Sequence, residues 1–183
     1  MPTSRSVMAP EVILRGAAVH FQRHSTLDMD LLARELAISR ATLYRAVGSR
    51  DRLLGLVFGT ISRWIFQLAR DEVRPVCGPD GVLAVTRAYV KLLDQAVQLH
   101  TFMQEDPQIA ARVLFTPAGG VMHRSVQEQA ATFREAGIGG DHLEDRAFLY
   151  VRLVESVLFS ELLGTGRVSL TGAEGALRAL LRE

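Results

Sequence analysis

The sequence predicts an all-α protein, and three observations carry that expectation. Apolar residues recur three and four apart through most of the chain. No segment alternates apolar and polar residues as a half-buried strand would. Clusters of Gly and Pro at 75–81, and of Gly at 119–120, 139–140 and 164–166, divide the periodic runs.

Pro10 suits the first position of a helix and Glu11 its positive end, and the run to His24 puts Ile13, Leu14, Ala17, Ala18 and Phe21 on one face. Asp28 caps a second helix whose apolar side is Leu31, Leu32 and Leu36, ending near Ala37 and Ile38. Ser39 caps a short third helix that turns Leu43 and Val47 inward, and Gly48 closes it. Ser49 caps a fourth over 49–74, carrying Leu53, Leu54, Val57, Ile61, Trp64 and Leu68. After the break, helices are expected over 80–105, 107–115, 119–136, 141–164 and 171–182, about nine in all.

Composition excludes several classes. A chain that is 48% hydrophobic collapses, which excludes a disordered tail protein. Cys77 has no partner in the chain, which excludes a disulfide scaffold. The most apolar stretch, Ala147 to Leu163, is broken by Arg152, Glu155 and Glu161, so no membrane span is expected. Met1 to Ala9 reads as a short arm without an apolar export core, and the expected location is cytoplasmic.

The net charge of +1 argues against a uniformly basic nucleic-acid coat. It hides a gradient: residues 1–74 hold eleven Arg against seven acidic residues, a net of +4, and residues 75–183 a net of −3. Twenty Arg and a single Lys (Lys91) make nearly every cation able to fork onto phosphate.

Residues 28–53 are the informative stretch. A helix of about ten residues, a short turn and a second short helix have the layout of a helix-turn-helix. The second helix presents Arg40, Ala41, Thr42, Tyr44 and Arg45 outward. Arg can fork onto guanine, Thr can meet thymine or donate, and Ala permits close approach. Arg50 and Arg52 stand where they can hold phosphates, and residues 39–52 carry a local net charge of +3.

Leu32-Ala33, Leu36-Ala37-Ile38-Ser39-Arg40-Ala41-Thr42-Leu43-Tyr44-Arg45, Val47-Gly48-Ser49-Arg50 and Leu53 together resemble the DNA-binding signature of TetR-type transcriptional regulators. Ile13-Leu14, Ala17 and Phe21 resemble that family's first helix, so the specific match covers roughly residues 11–58. The run Tyr150 to Gly164, with Ala176-Leu177-Arg178-Ala179-Leu180-Leu181, is similar to the QsdR-like branch, whose members are linked to control of quorum-signal degradation. The resemblance implies DNA contacts by Met29, Ser39, Arg40, Ala41, Thr42, Tyr44, Arg45, Ser49 and Arg50, with Tyr44 and Arg50 on phosphates. Two positions depart from the pattern. Ala37 replaces a usual turn Gly, and Val47 replaces a usual aromatic.

The implied organisation is a helix-turn-helix domain over 1–54 and an effector-binding and dimerisation domain over 55–183. The helix at 141–164 is apolar on more than one side. One stripe, Leu149, Leu153, Ser156, Ser160 and Gly164, with Leu177, Leu180 and Leu181 of the last helix, reads as a homodimer face; burial against the protein's own helices is the plainer alternative. The opposite stripe, with Val151, Val154 and Leu158, can line a pocket with Trp64, Leu68, Tyr89, Leu93, His100, Met103, Phe115, Met122 and His123, unless these are ordinary core.

No catalytic constellation, phosphate-cradling loop or nucleophile elbow is found, and no metal or cofactor is expected. His20 and His24 lack an evident third ligand, Asp141-His142-Leu143-Glu144-Asp145 reads as a helix start, and Cys77 as a bystander. The expected function is a ligand-responsive regulator, a repressor that binds a palindromic operator in double-stranded DNA as a homodimer and is released by a small, largely apolar effector. The competing reading is a small-molecule-binding or enzymatic helical bundle whose helix-turn-helix is incidental.

Overall fold

The computed structural model describes residues 9–117, 119–162, 164 and 166–182. Among them are ten helices and no strands: α1 Pro10–His24, α2 Met29–Glu35, α3 Arg40–Val47, α4 Arg50–Val73, α5 Gly78–Asp94, α6 Val97–Glu105, α7 Pro107–Phe115, α8 Val121–Glu135, α9 Leu143–Leu158 and α10 Leu170–Ala179.

Local chemistry sets the first four as the sequence implies. Asp28 Oδ1 accepts from the backbone N–H groups of Asp30 and Leu31 at 2.8 and 3.0 Å. The Ser39 and Ser49 hydroxyls cap α3 and α4, each accepting a backbone N–H at 3.1 Å. Between α2 and α3 the chain reverses through Ala37 at φ +54°, while the N–H groups of Ala37 and Ile38 return to the carbonyls of Arg34 and Ala33. A left-handed Ala costs about 1 kcal/mol more than Gly there, so the missing turn glycine is a real strain.

Two expected boundaries are corrected. The run 80–105 is not one helix: it breaks at Gln95 and Ala96, raising the number from nine to ten among the described residues. No Gly or Pro marks the break. It redirects α6 so that Phe102 is buried in an edge-to-face triad with Phe21 and Phe58, with centroids 5.1–5.8 Å apart. The helix expected over 141–164 ends at Leu158. Ser160 is buried beyond it, donating to the Val157 carbonyl at 3.2 Å and accepting the Val168 N–H at 3.1 Å, which pins the connection to α10.

Two apolar clusters form. One joins α1–α3 and the first half of α4 to Phe102, Ala110, Val113 and Leu114 of α6 and α7. The other gathers α5, α8, α9 and α10 around Phe133, Tyr150 and Leu177. The long α4 runs past both. At Gly55 it touches the turn before α8 so closely that a Cβ would stand 2.1 Å from the Gly119 carbonyl oxygen. Arg124 closes that contact, donating to the carbonyls of Gly55 and Gly119 at 3.0 and 3.2 Å. Among the described residues, no helix is long and apolar enough to cross a membrane.

Candidate nucleic-acid interface and effector cavity

The outer side of α3 carries Arg40, Ala41 and Arg45 exposed, with Thr42 and Tyr44 half-buried behind them and Leu43 and Val47 facing the core. Arg40 lies over the Tyr44 ring, 5.4 Å from its centroid, and pairs with Asp30 of α2 at 3.0 Å. Arg45 donates to the Thr42 hydroxyl at 3.3 Å. These are loose surface contacts, which leave both guanidinium groups accessible. Ser39 and Ser49 are exposed but committed to capping.

Two expected contact residues are placed otherwise. Met29 is 5% exposed and belongs to the core beneath α2, because the first helical position after Asp28 points inward. Arg50 is half-buried and folded back onto the protein. Its Nε donates to the Leu27 carbonyl at 2.7 Å, its terminal nitrogen to Thr26 at 3.1 Å, and it lies 3.6 Å from Asp106 at the junction of α6 and α7. The next residue repeats the pattern, Asp51 pairing with Arg112 of α7 at 2.5 Å. The first turn of α4 is thus tied electrostatically to α6 and α7, which share its apolar cluster. Arg52, also expected near phosphates, remains exposed.

Behind this surface, His20 Nε2 accepts the Asp28 N–H at 3.4 Å, so Nδ1 carries the ring proton and donates it to Glu35 at 2.8 Å. That hydrogen bond holds the Glu35 carboxyl below its ordinary range. Where the sequence offered no third group near His20 and His24, the fold brings one: the ligand atoms of His20, His24 and Glu35 lie within 4.8 Å of one another. With the His20 proton shared between ring and carboxylate, the trio ties α1 to α2.

Two adjoining cavities lie between the clusters. The inner one is about 90 Å³ and is lined mainly by Phe21, Phe58, Ile61, Phe66, Leu99, Leu114, Val151, Val154 and Phe159, with Ser62, Thr86, Tyr89, Ser125, Glu128, Gln129 and Glu155 as its polar groups. The outer one, about 490 Å³, falls in the range of roughly 300–1,000 Å³ usual for small-molecule sites. Leu93, Leu99, Leu158 and Phe159 belong to both walls.

Of the residues expected to line a pocket, Tyr89, Leu93, Val151, Val154 and Leu158 reach the inner cavity, and Leu93, His100, Met103 and Leu158 the outer. Trp64, Leu68, Phe115, Met122 and His123 line neither. Trp64 and Leu68 are 64% and 39% exposed: at 100° per residue they lie across α4 from Phe58, Ser62 and Phe66, the stripe that faces inward. Phe115 instead packs edge-on against Phe159 with Arg152 over its face, and His123 is on the surface.

Most polar groups of the inner wall are already engaged. The Ser62 and Tyr89 hydroxyls are 2.9 Å apart, those of Thr86 and Tyr150 2.7 Å, and Ser125 donates to Val121 at 3.3 Å. Burial pushes the Tyr89 hydroxyl up to about 12 despite the Ser62 bond. Glu128 accepts from Arg63 at 2.9 Å and Glu155 from Arg152 at 2.9 Å. Burial nonetheless raises the Glu155 carboxyl to about 7, outweighing Arg152. No basic side chain lines this cavity among the described residues.

The expected dimer stripe is split. Leu149 is 51% exposed and Ser156 and Gly164 are exposed, while Leu153 and Leu180 are half-buried. Ser160, Leu177 and Leu181 are buried within the protomer, and so cannot meet a partner; α10 turns its leucines onto α5 and α9. The exposed side of α9 adds Phe148, 45% exposed, and that of α10 is Gly172, Gly175, Ala176 and Ala179.

No curated protein matches the chain. Among solved structures, the R. erythropolis transcriptional repressor QsdR from the TetR family is similar: TM-score 0.86, 25% identity, with 94% of this chain and 93% of that chain covered. Residues 77–182, more than half of the chain, match the family described as "Tetracyclin repressor-like, C-terminal domain". With a helix-turn-helix ahead of that segment and the same fold over nearly its whole length, the chain belongs to the TetR family of transcriptional regulators.

Proposed function

We propose that the protein is a homodimeric repressor that binds a palindromic operator through α3 and leaves it when a small, largely apolar effector enters the cavity between the two clusters. It works in the cytoplasm, with residues 1–54 reading DNA and residues 55–183 binding effector and partner. One observation carries the reading. Phe21 of α1 belongs at once to the core beneath the reading head and to the wall of the inner cavity. Whatever fills the cavity presses on the same ring that seats α1 against Phe58 and Phe102.

The mechanism is a population shift. Two α3 helices in a dimer read half-sites one helical turn apart, about 34–36 Å, and this spacing tolerates little rotation. An effector that favours a displaced Phe21 favours a spacing that no longer matches adjacent grooves. QsdR is a transcriptional repressor, which supports the same sign of response here. The dimer face would be the exposed side of α9 and α10 around Phe148, Leu149, Ser156 and Ala176.

A gel-shift titration with the promoter region beside the protein's own gene tests the reading. The expected result is a sequence-selective shift by a dimer, weakening steeply with salt. Absence of a selective shift at every salt concentration would sink it.

A further inference from the structure

The chemistry of the inner cavity narrows what can enter it. Gln129 of α8 is only 6% exposed and lines the cavity. Its neighbours in the wall, Ser62, Tyr89, Thr86 and Glu155, have hydrogen-bond partners, whereas its amide has none among the described residues. An amide that lines the cavity with its donor and acceptor uncommitted can meet a ligand's acceptor and donor without giving up a bond inside the protein. Glu155 stands in the same wall, where among the described residues no cation faces the cavity and its one basic partner is Arg152 on its own helix. A carboxylate or phosphate brought here would meet acid groups and no base.

We propose that the effector is an uncharged amphiphile whose polar end carries a hydrogen-bond donor beside an acceptor, seated between Gln129 and Glu155. Its apolar part lies against Phe21, Phe58 and Leu99. Gln129 gives and accepts one hydrogen bond, and Glu155 accepts the ligand's donor. A negatively charged head is rejected because its desolvation is not repaid. The proposal rests on the reading of the cavity as the effector site and says which chemistry that site selects.

Three probes with one alkyl chain test it on the full-length protein: octanamide, methyl octanoate and octanoate, titrated calorimetrically at pH 8. Octanamide is expected to bind at least tenfold more tightly than the donorless ester and the anion. Gln129→Leu should cost octanamide about tenfold and leave the ester within twofold. Glu155→Gln should narrow the gap between octanamide and octanoate to less than threefold. Val154→Phe, which fills the cavity, should abolish all three. Octanoate binding as tightly as octanamide, a Gln129→Leu effect equal on amide and ester, or no binding of any probe would each overturn the proposal. DNA binding is measured separately without probes. A protein that selects octanamide but shifts no DNA fails as a regulator and not as a donor-selecting cavity, and the reverse outcome separates them equally.

Discussion

The helix-turn-helix and the cavity domain solve opposite problems with the same kind of element. In α3 the informative side chains point outward and their roles follow from type: Arg40 and Arg45 are exposed, held only by surface contacts. In α4, α5, α8 and α9 the informative side chains point inward, and which stripe faces the cavity depends on packing between helices distant in sequence. A surface that reads DNA can therefore be inferred from local order, while a cavity is a property of the assembled bundle.

The largest effect that would sharpen this contrast lies at Gly55. A Cβ there meets backbone, which cannot step aside. Gly55→Ala should destabilise the protein by about 3 kcal/mol in denaturant melts. A substitution of similar size on the outside of α3, such as Ala41→Ser, should change stability by less than about 0.5 kcal/mol. Equal effects would break the contrast.

The next concerns the reading head itself. Arg40→Ala should relax base preference at one position, worth about 1–3 kcal/mol of discrimination, in a binding assay over operator variants. Arg52→Ala should weaken all sequences alike and flatten the salt dependence. Arg50→Ala should do something different: because Arg50 is bonded to Leu27, Thr26 and Asp106, it should also lower stability by about 1 kcal/mol.

On the cavity side, Glu155 gives a pH signature. Burial raises its carboxyl to about 7 in the folded protein against an ordinary 4.5, with Arg152 on α9 and Tyr89 on α5 as its charged or titratable neighbours and Glu128 on α8 in the same cavity wall. Between those values the folded state keeps a proton that the unfolded chain has released. Stability should thus fall as pH rises from 4.5 to 7, by on the order of 2 kcal/mol from this group, and level off above. Glu155→Gln should remove that slope in melts recorded across the range. The smallest effect is Ala37→Gly, which relieves the left-handed turn and should add about 1 kcal/mol or less.

Legibility in the sequence followed the same division. The caps at Asp28, Ser39 and Ser49, the strained turn at Ala37 and the inward Leu43 and Val47 were all readable, because each depends on neighbours within four residues. The break at Gln95 was not, since only burial of Phe102 explains it. Trp64 was expected in the pocket but is exposed, because the face of α4 that lines the cavity, Phe58, Ser62 and Phe66, is set by where α5, α8 and α9 pack and not by the helix's own apolar run. Gln129 carried no local signal at all. A buried polar side chain announces itself only when the helices around it are known.

The position of Arg50 has a last consequence. A DNA phosphate brought to the Arg50 guanidinium would compete with Asp106, 3.6 Å away, for its charge. If DNA recruits it, Asp106 at the α6–α7 junction is released, and the wall that Leu99 and Leu114 lend to the cavity loses an anchor. Because binding linkage is reciprocal, any effector that disfavours the released junction must weaken DNA by the same factor that DNA weakens the effector. The same side chain would then serve as an exchange contact, answering to whichever partner is present.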